Sequence, residues 1–274
     1  MPIFDGRLGL RRLAAAALLA AAPGWALAQE HGAVDAAPAN AAGAGSFAFA
    51  LAYEGGVTTE QLVAALEEAA EAGLPLALWR LGVMYENGDG VEPDQAKAFL
   101  YFSRIANDNA ETPPRSLEAD VVAQSFLKVG QYYRTGLPDA GIPVDVVRAR
   151  ALLLHAATYF GDAEAQYQVG LLYLAADEFG RNPIQSVRWF RLAAQKGHPG
   201  AQAKLGELLF KGEGFEPEPV EGLMWLMLAA RGATGTADEE WIKALAEDAL
   251  SVASTEDRDR ASHNADMLGP QIDG

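Results

Sequence analysis

Cysteine is absent from the chain, and histidine is scarce, with four residues among 274. The absence of cysteine excludes disulfide bonds, thiol nucleophiles and cysteine-ligated metal sites. Basic residues are also few, because 21 Lys and Arg stand against 37 Asp and Glu, which gives a formal net charge of −16. A chain this acidic is repelled by nucleic acids and by anionic membrane surfaces, so neither is an expected partner.

Long apolar runs are missing beyond the N-terminus. The first twelve residues carry three arginines, and the apolar run 13–22 that follows is too short to span a bilayer. Ala26 and Ala28 provide the small residues of a signal-peptidase site, which predicts a signal peptide over 1–28 that is cleaved after Ala28. This prediction places the mature protein outside the cytoplasmic membrane, and an uncleaved amphipathic anchor is the alternative.

Cleavage would remove three arginines and one aspartate, so 18 of the 21 basic and 36 of the 37 acidic residues would remain, a net charge of −18. Residues 29–46 are rich in Ala, Gly and Pro, which is typical of a disordered leader. Apolar residues are then dense from Phe47 onwards without a Pro-, Gly- or Ser-rich linker. One folded domain is therefore expected over 47–252, followed by a short helix and flexible tail over 253–274.

Internal repetition is the strongest signal in the sequence. Four copies of a helix-turn-helix pattern align on an apolar-glycine pair, at Leu81-Gly82, Val129-Gly130, Val169-Gly170 and Leu205-Gly206. A small residue comes four positions before each apolar residue, and Tyr or Leu comes three positions after each glycine. Glycine inside a helix costs about 1 kcal/mol against alanine, so a neighbouring helix is expected to approach closely there. Such hairpins cannot bury both faces alone, which predicts a stacked array.

The sequence also predicts both ends of the array and the positions of two insertions. A degenerate fifth copy is predicted before the others, with its second helix over 62–73, and a closing helix is predicted over 236–250. The connection after the first hairpin is lengthened by 107–116, and the turn inside the second by 137–143. Insertions in helical arrays fall in loops that often carry contacts. Tolerated length variation is the alternative.

These columns, followed by Gly-x-Gly, Trp-x-x-x-Ala-Ala and a closing Gly, resemble the Sel1-like repeat, a relative of the tetratricopeptide repeat. The resemblance covers residues 47–232, although the third copy has Ala175, Ala176 and Asp177 in place of turn glycines. It implies an all-α, right-handed α-solenoid of helix-turn-helix repeats, four clear and one degenerate, with a C-terminal capping helix. It also implies that the first helices line a concave surface and that the protein is an adaptor for other proteins.

Three stretches, 158–175, 197–201 and 241–261, are more specifically similar to exported Sel1-repeat regulators of exopolysaccharide production. This resemblance implies a periplasmic negative regulator that binds the sensor domain of a membrane histidine kinase and holds it inactive. A general periplasmic scaffold for cell-envelope proteins is the alternative, and a hydrolase is a weaker one. The dense acidic surface further suggests that complex formation responds to pH.

Catalytic motifs are not recognisable. No two histidines stand at the i, i+4 spacing of a zinc helix, and His198 is expected to be a boundary or capping residue. The turns at 88–90 and 212–214 carry an acid and lack the Gly-Lys-Ser/Thr continuation of a phosphate loop. No catalytic residue, metal site or cofactor is therefore predicted.

Protein binding is the predicted activity, and the polar side of the first helices is the predicted surface. The candidate partner-binding residues are Arg80, Met84, Glu86, Lys128, Gln131, Arg134, Gln168, Lys204, Glu207 and Phe210. Their mixed charge favours a protein partner held by electrostatic complementarity, with Met84 and Phe210 as apolar anchors. Plain solvent exposure is the alternative for each residue.

Overall fold

The computed structural model describes residues 58–175 and 180–272 of the chain. These residues form eleven α-helices, which we number α1 (Thr59–Glu71), α2 (Pro75–Asn87), α3 (Gln95–Asp108), α4 (Ala119–Thr135), α5 (Val146–His155), α6 (Ala163–Leu174), α7 (Pro183–Ala194), α8 (Pro199–Lys211), α9 (Pro219–Gly232), α10 (Glu239–Val252) and α11 (Thr255–Ile272). The expected all-α class is confirmed. The predicted signal peptide, the leader and the first helix of the degenerate copy lie outside the described residues.

Four helical hairpins follow one another along the chain, as the repeat columns predict. They are the pairs α2 and α3, α4 and α5, α6 and α7, and α8 and α9, and each pair packs together. The described residues divide into two compact units, and the boundary between the units lies between Phe160 and Gly161. Helices α1 to α5 belong to the first unit and α6 to α11 to the second. The domain boundaries expected from the sequence remain predictions.

The interior glycines lie where neighbouring groups approach their helices closely, as predicted. A Cβ added at Gly206 would lie 2.7 Å from the carbonyl oxygen of Gly222, so the backbones of α8 and α9 cross at this point. At Gly82 and Gly170 the close neighbour is instead an aromatic ring, from Phe102 and Phe190. The apolar residues that precede these glycines are almost fully buried.

The second helices start with a shared polar cap. The side chains of Asp94, Asp145 and Asn182 each accept a hydrogen bond from the backbone N–H three residues later, at the starts of α3, α5 and α7. Such N-caps satisfy one of the free N–H groups of the first helical turn. In the fourth hairpin Glu218 occupies this place before α9 and makes no such bond.

The insertion at 107–116 begins in the last turn of α3 and is held against the end of α5. A ring nitrogen of His155 lies 3.3 Å from the carbonyl oxygen of Ala110, and the hydroxyl of Tyr159 donates to the carbonyl of Glu111 at 3.4 Å. Burial lowers the pKa of His155. Here α5 continues into a short π-helix, Ala156–Phe160, whose extra residue carries Tyr159 over the His155 ring.

The C-terminal segment differs from its expected form. It was predicted as a short helix with a flexible tail, but α11 continues for eighteen residues. Its buried side consists of the small residues Ala261, Ala265 and Gly269, and it packs against α9. A stripe of small residues adds little to an apolar pattern, so the length of this helix is hard to read from the sequence.

None of the helices in residues 58–175 and 180–272 combines the length and apolar character that a membrane span requires.

Candidate protein-binding surface

In the first unit, the polar side of α2 and α4 is joined by an ion pair. The ammonium nitrogen of Lys128 lies 2.6 Å from a carboxylate oxygen of Glu86, and both side chains are less than one third exposed. The sequence analysis placed both residues on this surface, and the structure brings them together. Their pairing links the first helices of two successive repeats.

A hydroxyl and an amide extend this ion pair. The hydroxyl of Tyr132 lies 2.6 Å from the side-chain oxygen of Gln95 and 3.2 Å from Glu86, and the amide nitrogen of Gln95 donates to the carbonyl of Glu86 at 2.9 Å. Burial, together with the charge of Glu86, raises the pKa of Tyr132 well above its ordinary value. The hydroxyl therefore stays protonated and acts as a donor. Neither Tyr132 nor Gln95 was predicted, because each is fixed by contacts between helices.

The remaining candidates of the first unit have different environments. Arg80 and Arg134 are exposed, and Gln131 is half-buried, as a partner-binding surface requires. Met84 is only 1% exposed, so the prediction that it forms an apolar surface anchor is wrong. Its side chain lies on α2 two residues after Gly82 and belongs to the core. A methionine off the main apolar stripe fills interior space readily because its side chain is flexible.

In the second unit, α8 carries an acid held between two lysines. A carboxylate oxygen of Glu207 lies 3.0 Å from the nitrogen of Lys204, and the other lies 2.7 Å from that of Lys211. Burial alone would raise the pKa of Glu207, but the hydrogen bonds and charges of the two lysines outweigh it and hold the pKa below its ordinary value. Glu207 therefore stays ionised and fixes both lysines on the surface.

An indole ring adjoins this group. The ammonium nitrogen of Lys204 lies 5.3 Å from the ring centre of Trp241, and the indole nitrogen donates to Asp238 at 2.8 Å. Phe210, predicted as an anchor, is partly buried against the core of this unit. Trp241 lies in the closing helix that was predicted over 236–250, and it was not among the predicted contact residues. Its half-buried ring beside a cation makes it the stronger aromatic contact candidate.

A second polar group of this unit joins α6 to the start of α8. A ring nitrogen of His198 lies 2.7 Å from Glu164, and the amide of Gln168 donates to the same carboxylate at 2.7 Å. Burial would raise the pKa of Glu164, but these hydrogen bonds hold it below its ordinary value. The other ring nitrogen of His198 accepts from the N–H of Ala201 at 3.1 Å and caps α8. The predicted capping role of His198 is confirmed.

The chemistry of these groups is that of binding. Both ring nitrogens of His198 are engaged in the helix cap and the Glu164 contact, so neither is turned toward a reacting group. Within the described residues, no group of three or more histidines, aspartates or glutamates is arranged to hold a metal ion. A charge pair and exposed arginines in the first unit, and separately a charge pair and a partly exposed indole in the second unit, favour recognition of a protein surface.

Comparison with known proteins identifies the repeat. The sequence profile of the Sel1 repeat matches residues 75–109, 127–158, 163–198 and 199–233. Each of these four segments falls on one of the four helical hairpins, although the second begins within α4. The predicted resemblance to the Sel1-like repeat is therefore confirmed.

Two relatives share about three quarters of the chain. The exopolysaccharide production negative regulator of Rhizobium meliloti (strain 1021) is 35% identical over 207 residues, which are 76% of this chain and 74% of the relative. The exopolysaccharide production negative regulator of Rhizobium leguminosarum bv. viciae is 36% identical over the same shares. The resemblance to exopolysaccharide regulators that the sequence analysis noted is also confirmed.

Two solved structures share the fold. A Sel1 repeat protein from Oxalobacter formigenes superposes with a TM-score of 0.61 and 25% identity, over 83% of this chain and 88% of that protein. The protective antigen c5321 of uropathogenic Escherichia coli strains superposes with a TM-score of 0.50 and 18% identity, over 85% of this chain and 54% of that protein, and supports the fold alone. With four helical hairpins, matching repeat segments and these fold neighbours, the chain belongs to the Sel1 repeat family and has an α-solenoid fold.

Proposed function

We propose that this protein is a periplasmic negative regulator of exopolysaccharide production that acts by binding another protein. The observation that carries the proposal is the 35% and 36% identity to two exopolysaccharide production negative regulators over three quarters of both chains. The partner we propose is the periplasmic sensor domain of a membrane histidine kinase, which the bound regulator holds inactive. Export by a signal peptide over 1–28 is part of the same proposal, because the two proteins must meet outside the cytoplasm.

The polar sides of the first helices suit this role. In each unit a carboxylate and a lysine are held together at the surface, at Glu86 with Lys128 and at Glu207 with Lys204. Groups that are already oriented lose little side-chain entropy when a partner binds. Because the charges are of both signs, a partner of the wrong charge pattern is disfavoured. Each unit therefore offers its own proposed binding surface, around Glu86 and Lys128 in the first unit and around Glu207 and Lys204 in the second.

A double charge reversal tests the surface of the first unit. Glu86→Lys combined with Lys128→Glu keeps an ion pair between the same two positions but reverses its direction on the surface. We expect the double variant to fold normally and to bind the purified sensor domain at least tenfold more weakly in calorimetry. Glu256→Lys combined with Arg260→Glu on the exposed side of α11 is the matched control and should bind as the native protein does.

Deletion of the gene tests the function itself. We expect deletion to raise exopolysaccharide output and kinase signalling, and the tagged protein to co-purify with the sensor domain. A general envelope scaffold, which the Sel1 repeats alone would also support, predicts unchanged kinase signalling after deletion. That result would contradict the regulatory proposal.

A further inference from the structure

The exposed face of helix α7 carries large aliphatic side chains. Ile184, Arg188 and Leu192 follow one another at i, i+4 and i+8, so they lie on one side of the helix. Ile184 is 49% and Leu192 is 44% exposed, and Arg188 is exposed as well. We call these three residues the α7 outer face. Ile184 and Leu192 therefore place two large aliphatic side chains on the same exposed helix face, one on either side of Arg188.

The equivalent face of α9 is covered. The repeat register that aligns Gly170 with Gly206 also aligns the α7 outer face with Val220, Met224 and Leu228, of which Met224 is 8% and Leu228 is 6% exposed. Helix α11 packs on α9, and a Cβ at Gly269 of α11 would lie 3.4 Å from Leu228.

At the edge of this contact, Arg231 of α9 pairs with Asp266 of α11 at 2.7 Å. The second unit thus contains an example of a helix docked on this face, with small residues over the aliphatic side chains and a carboxylate beside an arginine.

The charge around α7 indicates what kind of helix could dock there. Residues 181–196 contain four basic side chains and no acidic one, in a chain whose net charge is −16. Arg181 pairs with Glu213 and Arg191 with Glu221, whereas Arg188 has no hydrogen-bond or ion-pair partner among the described residues. An exposed arginine between two aliphatic side chains is complementary to a helix that bears a carboxylate within an apolar stripe.

We propose that the α7 outer face binds an acidic amphipathic helix of a protein partner. The helix lays a stripe of small or aliphatic residues over Ile184 and Leu192 and places a carboxylate at the guanidinium of Arg188. This surface is separate from the polar sides of the first helices. The inference goes beyond the proposed function, since it holds whichever protein supplies the helix.

A labelled synthetic peptide tests the proposal directly. The probe is a helical peptide with alanine and leucine at i, i+4 spacing, flanked by glutamates, and its binding to the protein without the signal peptide is followed by fluorescence anisotropy. We expect Arg188→Glu to weaken binding at least tenfold. A second peptide with lysines in place of the glutamates should bind the Arg188→Glu protein again. Arg260→Glu on the exposed side of α11 is the matched control and should leave binding unchanged.

Two outcomes of these experiments would overturn the proposal. The first is a peptide that does not bind the native protein, or that binds the Arg188→Glu protein equally well. The second is self-association in sedimentation velocity that Arg188→Glu abolishes, because a second copy would then occupy the face. The proposed function fails independently, when the native protein binds the glutamate peptide but not the sensor domain. A circular dichroism spectrum of each variant serves as the control for correct folding.

Discussion

Two glycines, Gly206 and Gly222, set the spacing of α8 and α9. Added Cβ atoms at Gly206 and Gly222 would lie 2.7 Å and 2.6 Å from backbone atoms of the opposite helix, closer than real Cβ contacts. Glycine costs about 1 kcal/mol in the interior of a helix. The close crossing must therefore stabilise the hairpin by more than this cost.

We expect Gly206→Ala to lower the free energy of unfolding by about 1–3 kcal/mol, because the added methyl group forces the two backbones apart. Urea unfolding monitored by circular dichroism measures the change. Gly232→Ala is the control, since the nearest atom there would be 3.5 Å from the new Cβ, and its stability should be equal or slightly higher. A Gly206→Ala protein as stable as the native one would contradict the prediction.

Protonation of Glu207 is expected to lower stability in acid. In the folded protein, burial would raise the pKa of Glu207, but the two lysines lower it more, so the pKa lies below its ordinary value. The stabilisation that the carboxylate provides is therefore complete above the pKa of the unfolded state. It is lost as the pH falls through the pKa of the folded state. The stability difference between the native protein and Glu207→Gln should be constant above about pH 5 and shrink toward about pH 3. Urea unfolding across this range measures it.

Glu240→Gln, at an exposed position of α10, is the control for this prediction. Its difference from the native protein should stay small throughout the range. A Glu207→Gln difference that grows as the pH falls would show that the carboxylate destabilises the fold.

Individual residues also show which structural features can be predicted from the sequence and which cannot. The periodic columns predict that Leu81 and Leu205 are buried, because the burial of these positions follows from the periodicity of a single helix. They do not predict that a phenylalanine ring fills the space at Gly82 while a backbone does so at Gly206. Met84 was misplaced on the surface for the same reason, since its burial depends on neighbouring helices.

At the scale of the element, the fourth hairpin lacks a cap that the other three possess. Glu218 has a backbone conformation close to that of Asn182, but its longer side chain makes no cap bond and instead approaches Glu221. The hydrogen bond with Glu221, together with burial, raises the pKa of Glu218. The neighbouring carboxylate of Glu221 thus disfavours the ionisation of Glu218.

Glu218→Asn should raise the free energy of unfolding by about 0.5–1 kcal/mol, because asparagine caps the equivalent helix α7 at Asn182. Thermal unfolding at neutral pH measures the gain. Glu216→Asn removes the same charge two residues earlier without reaching a cap position, and it should give a smaller change. A Glu218→Asn protein that is no more stable than the control would count against the capping argument.

Helix α11 depends on the small size of its buried residues. Ala265 is fully buried, whereas its neighbour Asn264 is exposed. We expect Ala265→Leu to destabilise the protein by about 1–3 kcal/mol, because the larger side chain must displace α11 from α9. Asn264→Leu should have little effect. Limited proteolysis at the connection Ala253–Ser254 should accelerate in the first variant and not in the second.

Helices were easier to predict than their interactions. Glycines, prolines and periodic apolar residues gave the four hairpins, because those signals are local. The candidate surface required pairs such as Glu86 with Lys128, which are 42 positions apart and meet only when two hairpins stack. Side-chain partners across repeats depend on the crossing of helices, and a single sequence does not contain that geometry.

At the scale of the whole molecule, the second unit has its own core. The cluster that includes Phe190, Leu205, Trp225 and Ala265 is built from residues of the second unit alone. We therefore expect a fragment of residues 161–274 to fold by itself.

Amide resonances in a two-dimensional NMR spectrum test this, and those of the core should match their positions in the intact protein. A shorter fragment, 161–252, lacks α11 and should unfold at a lower denaturant concentration. A coil-like spectrum for the longer fragment would contradict the prediction.

Two of the connections between hairpins, which we call joints, each contain a glycine with the same backbone conformation. Gly161 and Gly197 adopt positive φ angles of 72° and 81°, each two residues before a first helix. The segment 162–197 thus starts just after one such joint and ends on the next. A tandem duplication of its coding DNA would connect the end of one copy to the start of another through a turn that already exists. We therefore expect an added or removed hairpin of this length to need no compensating mutation at the junction.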